Sequence, residues 1–569
     1  MALTHNNNTR PSHSLTPIDW VLSVLILVSG TLLGKRYSVG PIAWDDTLYL
    51  HTAMTLARDP TILNRYLHVF ILRLGIFLEG GVPLAGAYLA GAFIFCLTAS
   101  LVYLNARILS GADHPWHGVM ALLFLLSAPY YLLNFGSSLA DFSLMAMLNL
   151  GILCFLLAVR SGQESLFMFS LNGLVFFLAI KCKEAGVILV FLLAALLIVN
   201  NRPFRWRATL FRAGAILAGI AAGQIGFIVL DGLLLKDAWF GLRAGDIQAL
   251  LAFNSQPSRT PQIGGTYFTA ISQISLLAPF CLSLISAANR RETIKSGDWP
   301  VYSLPLGFFA MVIITQIKFN YGVMDRYTIP ALTVLAVIAP QFMQFGVNRT
   351  ENDHKIKLLS LPMFLGVIAV IMAYLLSLGL YASVGQAEYR SQADFITTIL
   401  EPLGLVILLS AAWLVPSKKT WGFLILVGAI AFLTLPTIQL NRMELGSGKV
   451  KQASLDRLAP MMVFNHQVKC THGPVFVSQN YHDQLNLLSR DQQSTFWMFD
   501  LSFNCSSQID QFTISHSPKQ VLENHYLYAF LPKDDFDNLM SQEETAVRVG
   551  QSYSITSNAG QTFYLLIGK

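Results

Sequence analysis

The sequence predicts an all-α polytopic membrane domain followed by a small C-terminal α/β domain. Of the 569 residues, 54% are hydrophobic and 12% are charged, and this charged fraction is about half that of a soluble domain. The last 128 residues hold 10 Lys and Arg and 12 Asp and Glu, so charge is concentrated at the C-terminal end. With a mean hydropathy of +0.53, this distribution excludes a soluble multidomain enzyme, a disordered protein and a secreted disulfide scaffold.

Long apolar runs predict about thirteen transmembrane helices, because about 18 or more apolar residues can cross a bilayer. A short tail, 1–17, precedes a membrane domain over 18–440. A long first outside loop, 34–82, separates the first two spans. The predicted spans are 18–33, 83–107, 117–135, 139–159, 166–180, 185–200, 213–231, 266–288, 300–317, 327–346, 358–380, 396–415 and 421–440.

Residues 441–569 have the composition of a soluble domain. Strands are predicted at 474–478 and within 552–567, and helices at 480–488 and 533–541, which together indicate a small α/β fold. The domain also contains Cys470 and Cys505. In an extracytoplasmic location either a disulfide or two reduced thiols would fit this pair.

Basic residues orient the spans. If the N-terminus is inside, the inside loops hold 15 Lys and Arg in about 71 positions and the outside loops hold 13 in about 114. This bias predicts a cytoplasmic N-terminus, and thirteen spans then place 441–569 outside. Tyr66–Leu78 is apolar but short and contains His68 and Arg73, so it predicts a helix lying at the membrane surface. If it crossed the membrane, every later loop would change sides.

Charged residues gather at the predicted outside face from four separate segments. Asp45 and Asp46 precede a helix predicted over 47–58, and Asp141 opens a span. Each has an ordinary structural explanation as a helix cap, and a lysine at a span end can extend to lipid headgroups. The further candidates at this face are Tyr49, His68, Lys181, Lys183, Glu184, Arg243, Arg326 and Tyr327.

The mixture of acidic and basic residues at this face indicates which reaction a site there could catalyse. Two adjacent carboxylates suit a general base and a partner that tunes its pKa or orients the substrate. Lysine and arginine suit a phosphate, so the face suits transfer from a lipid phosphate. Before residue 440 the sequence has no Gly-rich phosphate loop and no strand–helix alternation. Its basic residues are scattered rather than aligned on one face, which argues against nucleic-acid binding.

Residues 18–440 resemble the GT-C superfamily of membrane glycosyltransferases, in the branch of protein O-mannosyltransferases and lipid A aminoarabinose transferases. The resemblance rests on four motifs in order, namely Trp44-Asp45-Asp46 with Tyr49, then Asp141, then Lys181, Lys183 and Glu184, and finally Arg326-Tyr327 with Pro330. Three departures leave the acceptor class open. The C-terminal tail does not resemble the β-trefoil insert of eukaryotic protein mannosyltransferases. The mannosyltransferase branch has Asp-Glu where this chain has Asp45-Asp46, and it often has His-Pro where this chain has His68-Val69.

The resemblance implies an inverting transfer of a sugar from a polyprenyl-phosphate donor to a hydroxyl of a glycan, lipid or protein acceptor. It implies that Asp45 is the general base and that Asp46 or Asp141 orients the sugar or the acceptor. The groups implied to contact the donor are the cations Lys181, Lys183, Arg243 and Arg326, with Tyr49, His68, Glu184 and Tyr327 beside them. The resemblance also implies a bacterial inner-membrane protein in contact with membrane lipids, with a periplasmic C-terminal domain. We expect no cofactor beyond the lipid-linked sugar, although the acidic residues leave a divalent metal open.

Two alternatives stay open at this point. A glycan ligase or polymerase that uses a lipid-pyrophosphate donor would also place arginine and an acid outside, but such proteins more often carry their large loop late in the chain. A lipid or solute transporter would show inverted repeats, broken spans and charges near the bilayer midplane. Here the long acidic loop comes first and the charges lie at the ends of spans, which favours the transferase.

Arg326→Ala tests the phosphate contact that the resemblance implies. Loss of a charge-assisted hydrogen bond should weaken binding of a polyprenyl-phosphate lipid about tenfold or more. The measurement is the dissociation constant of the purified full chain. An unchanged affinity would remove Arg326 from the phosphate site.

Overall fold

The structure is a computed structural model that describes part of the chain. The described residues are 15–38, 44–56, 65–110, 116–127, 131, 134–160, 165–198, 205–243, 245–248, 299–305, 307–308, 311, 329–347, 473–484, 509–517, 526, 528–541, 549–556 and 562–568. Four predicted spans (266–288, 358–380, 396–415 and 421–440) lie outside this set, as do Arg326, Tyr327, Cys470 and Cys505. The predictions at those positions therefore stay predictions.

The described part of the membrane domain is built from helices. They are α1 (Pro17–Gly34), α2 (Trp44–Thr55), α3 (Tyr66–Leu78), α4 (Pro83–Ser110), α5 (His117–Ser127), α6 (Ala140–Arg160), α7 (Leu166–Cys182), α8 (Val190–Ile198), α9 (Trp206–Leu234) and α10 (Ile329–Val347). Short 3₁₀ helices, Lys35–Tyr37 and Glu184–Leu189, follow α1 and precede α8. Among the described helices, α1, α4, α6 and α9 are long and apolar enough to cross a membrane, which indicates a multi-pass membrane protein. The total of thirteen spans stays a prediction.

A buried ion pair joins the start of α1 to the end of α4. Thr16 and Asp19 form a capping box, in which the Thr16 hydroxyl accepts from the Asp19 amide and the Asp19 carboxylate accepts from the Thr16 amide. The same carboxylate accepts from Arg107 Nε at 2.8 Å and from the Tyr103 hydroxyl at 2.9 Å. Arg107 is one of the 15 Lys and Arg residues counted in the predicted inside loops. In the structure its side chain forms this internal ion pair.

Helix α3 has the bounds that the sequence predicts. Its 13 residues span about 20 Å, which is less than the hydrocarbon core of a bilayer. One face packs on α2 and α4, whereas Leu74, Phe77 and Leu78 are exposed. Arg73 donates to the carbonyls of Ala53 (2.8 Å) and Met54, and so caps the end of α2. These features favour placement at the membrane surface.

Several helix starts differ from the sequence-based predictions. The span predicted over 213–231 is part of α9, which already begins at Trp206. Helix α2 covers Trp44–Thr55 rather than 47–58, so Asp45 and Asp46 lie inside its first turn. Carboxylates are favourable there because they face the positive end of the helix dipole. The segment predicted as a span over 185–200 begins as a 3₁₀ helix at Glu184 and becomes α8 only at Val190.

The described residues of the C-terminal part form a small mixed sheet with two short helices, in agreement with the predicted small α/β fold. Its elements are β1 (Gly473–Ser478), α11 (Gln479–Gln484), β2 (Ile509–Ser515), β3 (Tyr528–Pro532), α12 (Lys533–Met540), β4 (Val549–Thr556) and β5 (Thr562–Gly568). The strand order is β2-β1-β3-β5-β4. Strand β1 is parallel to β2 and β3, and β5 is antiparallel to β3 and β4. Strands β2 and β3 were not predicted, and the run 552–567 is a pair of strands.

Helices α3 and α4 cross at a close backbone contact. A Cβ added to Gly75 of α3 would lie 2.5 Å from the carbonyl oxygen of Gly86 in α4. Because that neighbour is backbone, it cannot move aside as a flexible side chain would. Glycine at this position therefore sets the distance between the two helices.

Gly75→Ala should lower the thermal stability of the full chain in detergent, because the methyl group must push α3 away from α4. Gly226→Ala is the matched control, since Gly226 is also inside a helix and has none of the described residues within 4 Å of its added Cβ. On helix propensity alone, alanine gains up to about 1 kcal/mol over glycine. Equal melting temperatures for the two variants would contradict the close contact.

Candidate functional site

The candidate site lies where the starts of α2, α3 and α6 meet the end of α7. Its centre is Ser138, in the turn that precedes α6. The Ser138 hydroxyl donates to Asp46 Oδ1 at 2.6 Å, and its carbonyl accepts from His68 Nε2 at 2.6 Å. On the other side of the imidazole ring, His68 Nδ1 accepts from the Ser143 hydroxyl at 2.7 Å. Helices α2 and α3 are thus both bonded to the segment that carries Asp141.

The His68 side chain is completely buried, and its ring makes a T-shaped contact with that of Tyr49, with the centroids 5.0 Å apart. Burial lowers the pKa of His68 to about 4, despite the hydrogen bond to Ser138, which acts in the opposite direction. The imidazole is therefore neutral near pH 7, with its proton on Nε2. Both ring nitrogens of His68 are thus bonded to protein groups, and its predicted substrate contact stays a prediction.

Asp141 and Lys183 form an ion pair close in sequence to Ser138 and Ser143 on one side and to the end of α7 on the other. Asp141 lies in the first turn of α6, and Lys183 directly follows α7. Lys183 Nζ donates to Asp141 Oδ1, and the two side chains are only 14% and 7% exposed. Asp45 is half-buried, whereas its neighbour Asp46 is completely buried.

Arg65, which the sequence analysis did not single out, forms a second ionic contact at the site. Its guanidinium donates to the Tyr49 hydroxyl and to both carboxylate oxygens of Glu184, at 3.1 and 3.3 Å from Nη2. Burial acts to raise the pKa of Glu184, but the charges of Arg65 and Lys183 outweigh it and hold that pKa below its usual range. Burial also raises the pKa of Tyr49 against the charge of Arg65, so the phenol remains protonated.

The cationic side chains that were predicted to contact the donor do not all lie at the candidate site. Lys181 lies two residues before Lys183, yet its Nζ packs 5.7 Å from the ring centroid of Phe177 and 5.5 Å from that of Phe227. It therefore lies between α7 and α9. Arg243, in the segment after α9, donates to Asp237 at 2.8 Å and is 58% exposed.

Within the described residues, the site thus combines three carboxylates of α2 and α6 with Lys183, Glu184 and Arg65. In that same part of the chain, no group of three His, Cys, Asp or Glu side chains is placed so that it could hold a metal ion. Lysine and arginine beside carboxylates are suited to bind a phosphate and to orient hydroxyl groups.

No family model and no curated protein sequence matches the chain. Among solved structures, ArnT from Cupriavidus metallidurans bound to undecaprenyl phosphate is 13% identical, with a TM-score of 0.56, and the match covers 97% of this chain and 98% of that one. The apo state of the same ArnT is 12% identical, with a TM-score of 0.53, covering 96% and 97% of the two chains. At these identities the likeness shows the fold alone, and at that level it agrees with the resemblance stated from the sequence.

The neutral His68 predicts a pH-dependent stability. Its folded pKa of about 4 lies below the ordinary value of about 6.5, so below pH 6.5 the unfolded chain binds a proton that the folded chain does not. The free energy of unfolding should therefore fall by up to about 3 kcal/mol between pH 6.5 and 4. We expect His68→Gln to lose this part of the pH dependence in thermal melts of the full chain.

The control for this measurement is His516→Gln, because His516 is an exposed histidine of the C-terminal domain. Its melts should follow the pH dependence of the wild type. If His68→Gln lost stability with acid as steeply as the wild type, the buried neutral imidazole would be ruled out as the cause.

Proposed function

We propose that the protein is an inverting glycosyltransferase that moves a sugar from a polyprenyl-phosphate donor to an acceptor hydroxyl at the periplasmic face of a bacterial inner membrane. The observation that carries this proposal is a site that combines the half-buried Asp45, at the start of α2, with the Lys183–Asp141 and Arg65–Glu184 contacts, in a chain with the fold of ArnT. That ArnT structure contains undecaprenyl phosphate, which supports a polyprenyl phosphate as the lipid here. The N-terminus would be cytoplasmic and the C-terminal domain periplasmic.

The general base in this proposal is Asp45 rather than its neighbour. Asp46 is completely buried and accepts a hydrogen bond from Ser138, so a substrate hydroxyl has no access to it. Asp45, half-buried one position earlier, takes the proton of the acceptor hydroxyl. The hydroxyl oxygen bonds to the anomeric carbon, the bond from that carbon to the phosphate oxygen breaks, and its electron pair leaves with the lipid phosphate.

Lys183 and Arg65, which pair with Asp141 and Glu184 at this site, are the cations that we assign to the phosphate, and Arg326 stays a further proposed phosphate contact. Charge develops on the leaving phosphate in the transition state, and fixed positive groups in a site with little water stabilise it by several kcal/mol. Since Asp46 is committed to Ser138, the group that orients the sugar or the acceptor is Asp141. The acceptor is a glycan, a lipid or a protein.

Asp45→Asn tests the assignment of the base. The full chain in lipid nanodiscs is supplied with a donor and an acceptor from the cells in which the protein occurs. The donor is an extract of polyprenyl-phosphate sugars, and the acceptor is a cell-envelope fraction. Release of polyprenyl phosphate is followed by mass spectrometry. Loss of the general base should lower the rate about a hundredfold to ten-thousandfold, while the melting temperature stays near that of the wild type.

The control for charge at the same face is Glu79→Gln, which removes a carboxylate from the Lys35–Glu79 ion pair at the end of α3. This variant should transfer sugar at a rate close to that of the wild type. Turnover retained in Asp45→Asn would show that another group is the base, and absence of release by the wild type would contradict the proposed reaction.

A further inference from the structure

Two opposite charges face each other near the ends of α7 and α9, apart from Ser138 and its partners. Phe177 of α7 and Phe227 of α9 make a T-shaped contact, with their ring centroids 5.5 Å apart. Lys181 and Asp231 each follow one of these rings by four residues, which is about one helical turn. Because residues four apart lie on the same face of a helix, Lys181 and Asp231 lie on the facing sides of the two helices.

Neither side chain forms an ion pair within the described part of the chain. Lys181 Nζ lies over the rings of Phe177 and Phe227 and makes no hydrogen bond to a described residue. Asp231 is 7% exposed, and its buried Oδ1 has no hydrogen-bond partner among the described residues. The two charges are close enough to attract each other. Since a buried carboxylate oxygen without a donor is unfavourable, Asp231 Oδ1 is suited to accept a hydrogen bond from a ligand.

Together the two side chains suit a ligand that carries both signs of charge. The Lys181 ammonium suits a phosphate oxygen, and Asp231 Oδ1 suits an N–H donor. The carboxylate of Asp237 lies near Asp231 and repels it, which favours a cation on that side even though Arg243 pairs with Asp237. Phosphoethanolamine, a phosphate joined to a primary ammonium by a two-carbon linker, offers one group to each of the two side chains.

The end of α9 is open to lipid. Val229, Leu233 and Leu234 are exposed, so the last turns of this helix present hydrocarbon outward. Trp239, which follows the helix, is exposed as well, and tryptophan is enriched where a membrane meets water. Lys181 and Asp231 therefore lie near the level of the lipid headgroups.

We propose that Lys181 and Asp231 bind the headgroup of a phosphatidylethanolamine molecule at the same membrane face as the candidate site. Lys181 Nζ donates to the lipid phosphate, and the headgroup ammonium donates to Asp231 Oδ1. The lipid is held and not transformed, so the proposal does not depend on the proposed glycosyl transfer. Phe227 also contacts Phe70 of α3, which places the headgroup site beside the helix that carries His68.

The test compares two lipids that share a phosphate and differ in the ammonium. The purified full chain in detergent is titrated with phosphatidylethanolamine and with phosphatidylglycerol of the same acyl chains, and dissociation constants are measured by native mass spectrometry. We expect the wild type to bind phosphatidylethanolamine about tenfold more tightly, because only this lipid makes the second charged contact.

The two side chains should have different effects on this preference. Asp231→Asn should weaken binding of phosphatidylethanolamine about tenfold and should not weaken binding of phosphatidylglycerol, so the preference disappears. Lys181→Gln should weaken binding of both lipids, since both offer a phosphate to the ammonium.

Two matched controls separate the site from general effects of charge. Lys236→Gln removes an exposed lysine just beyond the same end of α9, and Glu79→Gln removes an acid from the Lys35–Glu79 pair. Both variants should bind each lipid within about twofold of the wild type.

Equal affinity of the wild type for the two lipids would overturn the proposal without any variant, so the test does not depend on the folding of Asp231→Asn. A preference that survives in Asp231→Asn, or that is lost equally in Glu79→Gln, would also overturn it. Sugar transfer is measured in a separate assay, and none of these outcomes changes the assignment of Asp45.

Discussion

The hydrogen bond from His68 to the backbone carbonyl of Ser138 is the contact on which the geometry of the site depends. It ties α3 to the turn before α6, while the hydroxyl of the same serine holds Asp46 of α2. Because the imidazole is buried and neutral, it can accept from Ser143 while it donates to Ser138. A protonated ring would lose the acceptor and add a charge to a completely buried position.

Burial makes these polar contacts important for the stability of the folded chain. Polar and charged groups that leave water must find partners inside the protein, and this requirement selects the pairs Lys183–Asp141, Arg65–Glu184 and Arg107–Asp19. The last pair lies at the opposite end of α1 and α4 from the site and stabilises helix packing. The first two lie at the candidate site and fix the relative positions of the segments that form it.

Much of the fold could be predicted from the sequence, because long apolar runs have few alternatives to helix in a membrane. The positions of α1, α4, α6 and α9 follow from those runs, and the bounds of α3 follow from its short apolar stretch between polar residues. The start of α2 was placed three residues late, since acids before an apolar segment suit both a cap and a first helical turn. The short strands β2 and β3 escaped prediction because their pairing joins distant segments.

For the site, the sequence supplied the types of residue but not their partners. Arg65 and Ser138 act through hydrogen bonds to residues far away in the chain, and no local pattern marks such bonds. Lys181 and Lys183 look equivalent in sequence, yet the helix ends between them and they meet different neighbours. The roles of these residues in catalysis remain predictions from chemistry and position.

The outer face of α3 adds a physical coupling of its own. Leu74, Phe77 and Leu78 leave a band of bare hydrocarbon on the helix that also carries His68. Burial of this apolar surface among the lipid acyl chains will hold the helix at a fixed level relative to the headgroups. Through His68 and Ser138, α3 is hydrogen-bonded to the turn before α6 and to Asp46 of α2, so the level at which the bilayer holds α3 also sets the level of the candidate site relative to the headgroups.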